Sequence, residues 1–292
     1  MSVQAKFGSL FINTFYVELQ ISCMHLNNFS KHNLGEKYFE HNVFKTIGYL
    51  KGFYSSISMG VMTFIGYGTK SVFNLDTYFY SSISGTLESI NDILLKGKIN
   101  DSYALLRKFY DSTMINIYID LYLNDNFSLE NLTVEKIENW RNGTEAMPEY
   151  RIISKYIKES EKLKPISDLL NIENRYKEIR NRCNAHTHYN YFHNLLINDN
   201  KIFNDNRQNL LTIFESDLIH IFIQHFSFIA ILNEYYLMSS DYIDSLELGI
   251  TPEKNSQNWV APYVQEIFDE YVKIHRNDVA EIIKKNIHLE LE

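Results

Sequence analysis

The sequence predicts an all-α fold, a single domain built as a helical bundle. Apolar residues recur at helical spacing through most of the chain, for example at Phe79, Ile83, Leu87, Ile90 and Leu94. Sustained alternation of apolar and polar residues, which marks half-buried strands, is hard to find. Helix breakers are also sparse, with 11 Gly and 4 Pro in 292 residues, so long segments can remain helical.

The periodicity divides the chain into a series of helices. In order, the predicted helices are residues 3–26, 36–65, 75–95, about 101–123, 134–141, 148–162, 165–170, 173–195, 210–238, 241–247, 261–274 and 277–287. The third ends at the Gly-centred segment 96–98, whose flanking lysines suit a helix C-terminus. Asn100 or Asp101 is expected to cap the fourth, so that these two helices form an αα-hairpin.

Helix-start residues support several of the later elements. Pro148, Pro165 and Pro262 suit the first turn of a helix, where a missing N–H costs nothing. Asn277 is a candidate N-cap for the last helix. The segment 210–238 is so densely apolar that we expect it to be the central helix, buried on most sides.

Composition narrows the function classes. The chain carries 28 Lys and Arg against 36 Asp and Glu, a net charge of −8. Proteins that bind nucleic acid over an extended surface need clustered cations, so the acidic balance argues against that class. The two cysteines, Cys23 and Cys183, are far apart in the sequence. They are too few for a disulfide-stabilised scaffold and are typical of a protein in the reducing cytoplasm. The N-terminus lacks the pattern of a signal peptide. The uncharged stretch 52–69 is short and rich in Gly and Ser, so no membrane span is expected.

The most informative segment is 176–194, YKEIRNRCNAHTHYNYFHN. It contains three of the ten histidines together with two arginines and four asparagines. Buried polar groups need partners or they cost stability. A helix that only packs would not need this density of donors and acceptors, so the segment is predicted to be exposed, paired across an interface, or a functional site.

Within it, Arg180-Asn181, four further residues and then His186 resemble the R-x(4–6)-H signature of the HEPN superfamily, in which the residue after the Arg is often polar. The resemblance implies a HEPN-like core at about 76–238, with N-terminal helices (1–75) and C-terminal helices (239–292) packed on it. It also implies a homodimer in which the Arg and His of two protomers meet.

The same resemblance implies a metal-independent endoribonuclease without a cofactor, acting on RNA in toxin–antitoxin systems or anti-phage defence, with an antitoxin or defence-complex partner. The RNA 2′-OH is the internal nucleophile of such a reaction. Histidine suits proton transfer near neutral pH, and a guanidinium suits the phosphate charge. We therefore assign His186 as general acid/base, Arg180 as phosphate clamp and Asn181 as an orienting hydrogen-bonding residue.

Helical geometry leaves the partners of these residues open. Arg180 and His186 are six positions apart, or about 120° around a helix, so a helix bend or a symmetry mate would have to complete the site. One stripe at helical spacing joins Arg182, His186, Tyr189 and His193, and another joins Arg180, Asn184 and His188. Arg182 is therefore an alternative partner for His186, and His188 an alternative catalytic histidine. Asn184 and His193 are possible supporting residues.

Plainer interpretations exist for each feature. The histidines could lie on an ordinary solvated face, and a catalytically silent RNA- or protein-binding module is the alternative function. Three imidazoles with Cys183 do not have recognised zinc spacing, and no group marks Cys183 as a nucleophile. Arg107 and Asp111 form either a surface ion pair or a pair supporting the site. His220 and His225 are expected to be core or interface histidines.

The charge pattern sharpens the prediction. Residues 177–182 contain three cations and one carboxylate. A two-fold interface would double that local excess, which predicts a small cationic cleft in an acidic body instead of a long RNA-binding track.

Overall fold

The computed structural model describes residues 34–64, 74–128, 133–199, 204 and 206–292. The protein is all-α, as the sequence predicts. Its helices are α1 (Glu36–Phe39), α2 (Val43–Phe64), α3 (Leu75–Leu95), α4 (Ile99–Asn126), α5 (Glu135–Arg141), α6 (Tyr150–Glu159), α7 (Lys164–Asn171), α8 (Arg175–Thr187), α9 (Phe192–Leu196), α10 (Arg207–Leu232), α11 (Asp241–Glu247), α12 (Pro262–Ile267) and α13 (Asn277–Asn286). A π-helical turn, Phe268–Lys273, continues α12. Within the described residues, extended pairing is limited to one antiparallel bridge between Met238 and Val260.

Helix α10 is the central helix, as predicted. Residues around its whole circumference are buried, and α2 and α4 pack against it. Edge-to-face aromatic contacts hold α2 to α10, such as Phe53 on Phe222 with ring centroids 5.3 Å apart. Among the described helices, α10 alone is long and apolar enough for a membrane span, and 78% of its most apolar window is buried. That burial is typical of a core helix.

Helix α4 is the second organising element. It packs against α3 in the predicted hairpin, and also against α6, α8 and α10. The prediction that Asn100 or Asp101 caps it is wrong, because the helix already begins at Ile99. Instead the Oδ1 atom of Asn198 accepts the backbone N–H groups of Asn100 at 3.1 Å and Asp101 at 3.4 Å. A side chain from a distant loop thus caps α4.

The predicted helix 173–195 is also wrong, because the structure divides it. Helix α8 ends at Thr187, and Tyr189 adopts the left-handed conformation with φ 48°. The N–H of Tyr189 bonds to the carbonyl of His186, and the N–H of Asn190 to that of Ala185. This is a Schellman C-cap with Tyr where Gly is usual. The stripe predicted to continue from His186 to His193 therefore does not exist.

Other boundaries differ by smaller amounts. Pro165 and Pro262 lie in first turns as predicted, but Pro148 precedes α6, which begins at Tyr150. Asn277 is the first helical residue of α13 and not its cap. The predicted helix 210–238 ends at Leu232 and continues as a 3-10 turn. The predicted helix 3–26 lies outside the described residues, as do positions 65–69 of the uncharged stretch.

Candidate functional site

The candidate site is built where α8 runs along α4. Arg180 donates from Nη1 to the Oδ1 of Asp111 at 2.6 Å, and Arg107 donates from Nε to the Oδ2 of the same carboxylate at 2.9 Å. Arg107 and Asp111 are one turn apart on α4, so a single carboxylate holds two guanidinium groups. The Arg107–Asp111 pair is therefore not an isolated surface ion pair, because the same carboxylate also holds Arg180; whether it supports a functional site stays a prediction.

Tyr150 fixes the other side of Arg180. The guanidinium carbon lies 3.4 Å from the centroid of the Tyr150 ring, a cation–π contact worth about 0.5–2 kcal/mol. The Tyr150 hydroxyl is itself paired with that of Tyr110 at 2.9 Å. Arg180 is thus held between a carboxylate and an aromatic face, with 18% of its side chain exposed.

Two cavities adjoin at Arg180, and we call them together the basic cleft. Their volumes are about 700 Å³ and 420 Å³, and both are lined by Met114, Tyr150, Arg151 and Arg180. The cations that line them are Arg107, Arg151, Lys155, Lys158, Lys177 and Arg180, against the carboxylates Asp111 and Glu149. The net charge of the chain is −8, so the basic cleft concentrates positive charge in an acidic protein. Asn181 also lines it.

The smaller cavity is lined by a buried polar side chain from the central helix. Gln224, from the central helix α10, lines it and is 7% exposed, and its Oε1 atom has no hydrogen-bond partner. Leaving a buried acceptor unpaired costs about 1–3 kcal/mol. An unpaired buried acceptor that lines a cavity can receive a hydrogen bond from a ligand.

His186 has a different environment from Arg180. Its ring stacks on that of Tyr103 with centroids 3.9 Å apart and planes 7° apart, and its Nδ1 bonds to the Oδ1 of Asn100 at 2.9 Å. The residue is 5% exposed. Burial, with smaller contributions from His193 and Arg182, lowers the pKa of His186 to about 4. At neutral pH it is a neutral imidazole.

The structure does not bring Arg180 and His186 together within the chain. Both contact α4, but they are six residues apart on α8, or about 9 Å along its axis at 1.5 Å per residue. Asn184 lies between them and accepts a hydrogen bond from Arg107. Residues 180–186 of α8 therefore make successive contacts along α4. Arg180 contacts Asp111 at one end, and His186 contacts Asn100 at the other.

Arg182 forms an ion pair with a carboxylate of the central helix. It forms a bidentate pair with Asp217 on α10, through Nε at 2.7 Å and Nη2 at 2.9 Å. Asp217 is almost fully buried, so the pair joins α8 to the central helix. Arg182 is thus committed to packing in this protomer and does not accompany Arg180 in the basic cleft.

The remaining predicted residues are exposed beyond the end of α8. His188 is the C-cap residue, and His193 stacks on Tyr191 with centroids 5.6 Å apart. Tyr191, Phe192 and Leu195 are large apolar residues that are 52–75% exposed. We call residues 188–195 the exposed aromatic segment.

Cys183 and the two histidines of the central helix are buried. Burial raises the pKa of Cys183 to about 12, so its thiol is a poor nucleophile. No group of three possible metal ligands occurs among the residues that the structure describes. His220 and His225 are buried and hydrogen-bonded, which confirms them as core histidines.

Sequence reasoning missed Tyr150, Arg151, Lys158 and Gln224. One signal was available: Arg151, Lys155 and Lys158 follow i, i+4, i+7 spacing, which places them on one face of the predicted helix at 148–162. Gln224 had no signal, because one amide in an apolar helix usually finds a partner.

No protein-family model, no curated protein and no solved structure matches this chain significantly. The fold and site thus define the class on their own: an all-α bundle with a basic cleft between α4, α6, α8 and α10.

Proposed function

We propose that this protein binds single-stranded RNA through the basic cleft. The observation that carries the proposal is the charge of that cleft, where six cations and two carboxylates line two joined cavities in a chain of net charge −8. Phosphates are bound by clustered Lys and Arg. The choice of RNA over other polyanions comes from the resemblance of Arg180-Asn181 and His186 to the HEPN signature.

Arg180 is the central phosphate ligand in this proposal. Asp111 and Tyr150 hold its guanidinium in place, so little side-chain entropy is lost on binding. Arg151, Lys158 and Lys177 lie on the α6 and α8 sides of the same cavity and would contact the neighbouring phosphates.

Binding is tested with a fluorescent 20-nucleotide single-stranded RNA, by anisotropy at several salt concentrations. The double variant Arg151→Ala/Lys158→Ala should bind at least about tenfold more weakly, and its salt slope should fall by about 1.4, since each single-strand phosphate contact contributes about 0.7.

The matched control is Lys37→Ala/Lys254→Ala, which removes two exposed lysines outside the cleft. It should retain the affinity and slope of the parent protein. Equal losses in both double variants would mean that net charge, and not the cleft, governs binding.

RNA cleavage is the second candidate, and the bond between His186 and Asn100 favours it. If Nδ1 donates to the Oδ1 of Asn100, Nε2 is the basic nitrogen and can accept the proton of a 2′-OH. With a pKa of about 4, His186 is a base and not an acid at neutral pH. An acid must then come from elsewhere, and the exposed His188 or His193 of a second copy would supply one.

Cleavage would require no metal, so it should persist in EDTA and yield 2′,3′-cyclic phosphate ends. His186→Asn should abolish it while RNA binding at the basic cleft persists. Unchanged cleavage by a folded His186→Asn variant would exclude the histidine from the chemistry.

A homodimer through the exposed aromatic segment would complete such a site. Phe192 is 75% exposed, and large exposed apolar residues in a cluster favour an interface. Phe192→Ser should shift the protein from dimer to monomer in sedimentation velocity, whereas Ile274→Ser, which changes a residue 72% exposed elsewhere, should not. A monomeric parent protein would contradict the dimer.

The toxin or defence role, the antitoxin or defence-complex partner and the cytoplasmic location stay predictions from the sequence.

A further inference from the structure

We propose that the 420 Å³ cavity of the basic cleft is a site for an adenine nucleotide, with the base against Gln224 and the phosphate at the cations of its mouth. The inference deepens the proposed RNA binding and rests on it for the source of the nucleotide. The shared chemistry is the adenine nucleotide itself, either free or within an RNA strand.

Gln224 offers an unpaired hydrogen-bond acceptor to a ligand in the cavity. The Oε1 atom of Gln224 is buried and has no partner, although the residue is 7% exposed and lines the cavity. A Gln side chain pairs in a bidentate manner with adenine, because its oxygen accepts from N6–H and its amide nitrogen donates to N7. A base that presents only an acceptor there would leave Oε1 unpaired.

The walls of the cavity are aromatic and their polar atoms are already paired. Tyr110 and Tyr150 share a hydrogen bond of 2.9 Å between their hydroxyls, and the Tyr176 hydroxyl donates to the carbonyl of His220 at 3.3 Å. These three side chains line the cavity, so its lining is aromatic and the hydroxyl groups there are already paired. An aromatic base matches such walls, and Gln224 remains the acceptor that selects it.

The lining of the cavity carries more positive than negative charge, because Asp111 of the adjoining cavity pairs with Arg180 while Arg151, Lys158 and Lys177 also line it. No Asp or Glu among the described residues lines this cavity itself. The volume of about 420 Å³ lies within the range of about 300–1,000 Å³ that small-molecule sites occupy. These features together fit an anionic ligand that carries an aromatic group and an N–H donor, which an adenine nucleotide combines.

The test is isothermal titration of the full chain with AMP and IMP, which differ by the exchange of the N6 amino group for an oxygen. AMP should bind at least about tenfold more tightly than IMP, as expected for one bidentate amide–base pair. Equal affinities, or no binding of AMP, would overturn the proposal.

Two variants separate the contributions of base and phosphate. Gln224→Met keeps the length of the side chain but removes its amide, and should equalise AMP and IMP. Lys158→Ala/Lys177→Ala should weaken both nucleotides by a similar factor and retain the preference for AMP. Preference for AMP in a folded Gln224→Met variant would also overturn the assignment.

RNA oligonucleotides distinguish the failure of this inference from failure of the proposed function. An oligonucleotide with one adenosine among uridines should bind more tightly than its inosine counterpart. If RNA binds without that preference and AMP and IMP bind equally, the proposed RNA binding at the basic cleft stands and the adenine site is overturned. AMP binding without RNA binding would retain the site for a free nucleotide and contradict the proposed RNA function.

Discussion

The imidazole of His186 lies flat against the ring of Tyr103, with centroids 3.9 Å apart and planes 7° apart. Tyr103 is itself fully buried on α4 and meets Phe214 of the central helix edge-to-face. His186 is therefore a packing residue, because it joins α8 to α4 and through Tyr103 to α10. Any test of its chemistry has to be separated from this structural role.

We expect His186→Ala to lower the free energy of unfolding by about 2–4 kcal/mol, because it opens a cavity beside Tyr103 and leaves Asn100 without its partner. Urea denaturation measures the change. His188→Ala, two residues further and exposed, should change stability by less than about 0.5 kcal/mol. Similar effects of the two substitutions would mean that the stacked ring contributes little.

His225 predicts a pH dependence of stability. Burial lowers its pKa from 6.5 to about 3, and it bonds to the Tyr54 hydroxyl and to Asn116, each at 2.8 Å. Below pH 6.5 the unfolded chain binds a proton at this position while the folded protein does not. Its contribution to stability is therefore complete above pH 6.5 and is lost as the pH falls towards 3.

The comparison of the parent protein with His225→Gln isolates this effect, since other titrating groups are common to both. Between pH 6.5 and 4 the stability difference should change by up to about 1.4 kcal/mol per pH unit, to the disadvantage of the parent protein. Denaturant titrations at four pH values measure it. A difference that does not vary with pH would mean that His225 has the same pKa in the folded and unfolded states, and would contradict the lowered pKa.

Substitutions of Arg180 and Arg182 should have opposite effects on stability and on RNA affinity. Arg182→Ala leaves Asp217 buried without its partner, so we expect a loss of about 1–3 kcal/mol in stability and unchanged RNA affinity. Arg180→Ala leaves Asp111 paired with Arg107, so stability should fall by about 1 kcal/mol or less while RNA affinity falls about tenfold. Urea denaturation and anisotropy measure the two properties, and the reverse pattern would assign the phosphate contact to Arg182.

Asn198 should stabilise α4 from outside the helix. Asn198→Ala removes the acceptor of the Asn100 and Asp101 N–H groups and should cost about 1 kcal/mol, as for other lost N-caps. Amide hydrogen exchange should become faster at those two positions first. Asn190→Ala, which changes an exposed side chain, is the matched control and should leave exchange in α4 unchanged.

Much of the fold follows from local pattern. The spacing of apolar residues at 79–94 predicts α3, and the dense run at 210–238 predicts the buried helix α10. Both are confirmed because helical periodicity depends on residues three and four positions apart. The end of α8 was missed because Tyr189 takes a conformation that a Gly would have signalled.

The sequence by itself determined the all-α class, the central helix and the polar segment that carries Arg180 and His186. Only the tertiary structure decided that Arg180 opens into a cationic cleft while His186 packs against Tyr103. It alone also brought Gln224 into one cavity with Arg151 and Lys177. The physical reason is that side chains on one helix have a known spacing, whereas a cavity depends on which faces of distant helices meet. That meeting is set by the packing of the whole core.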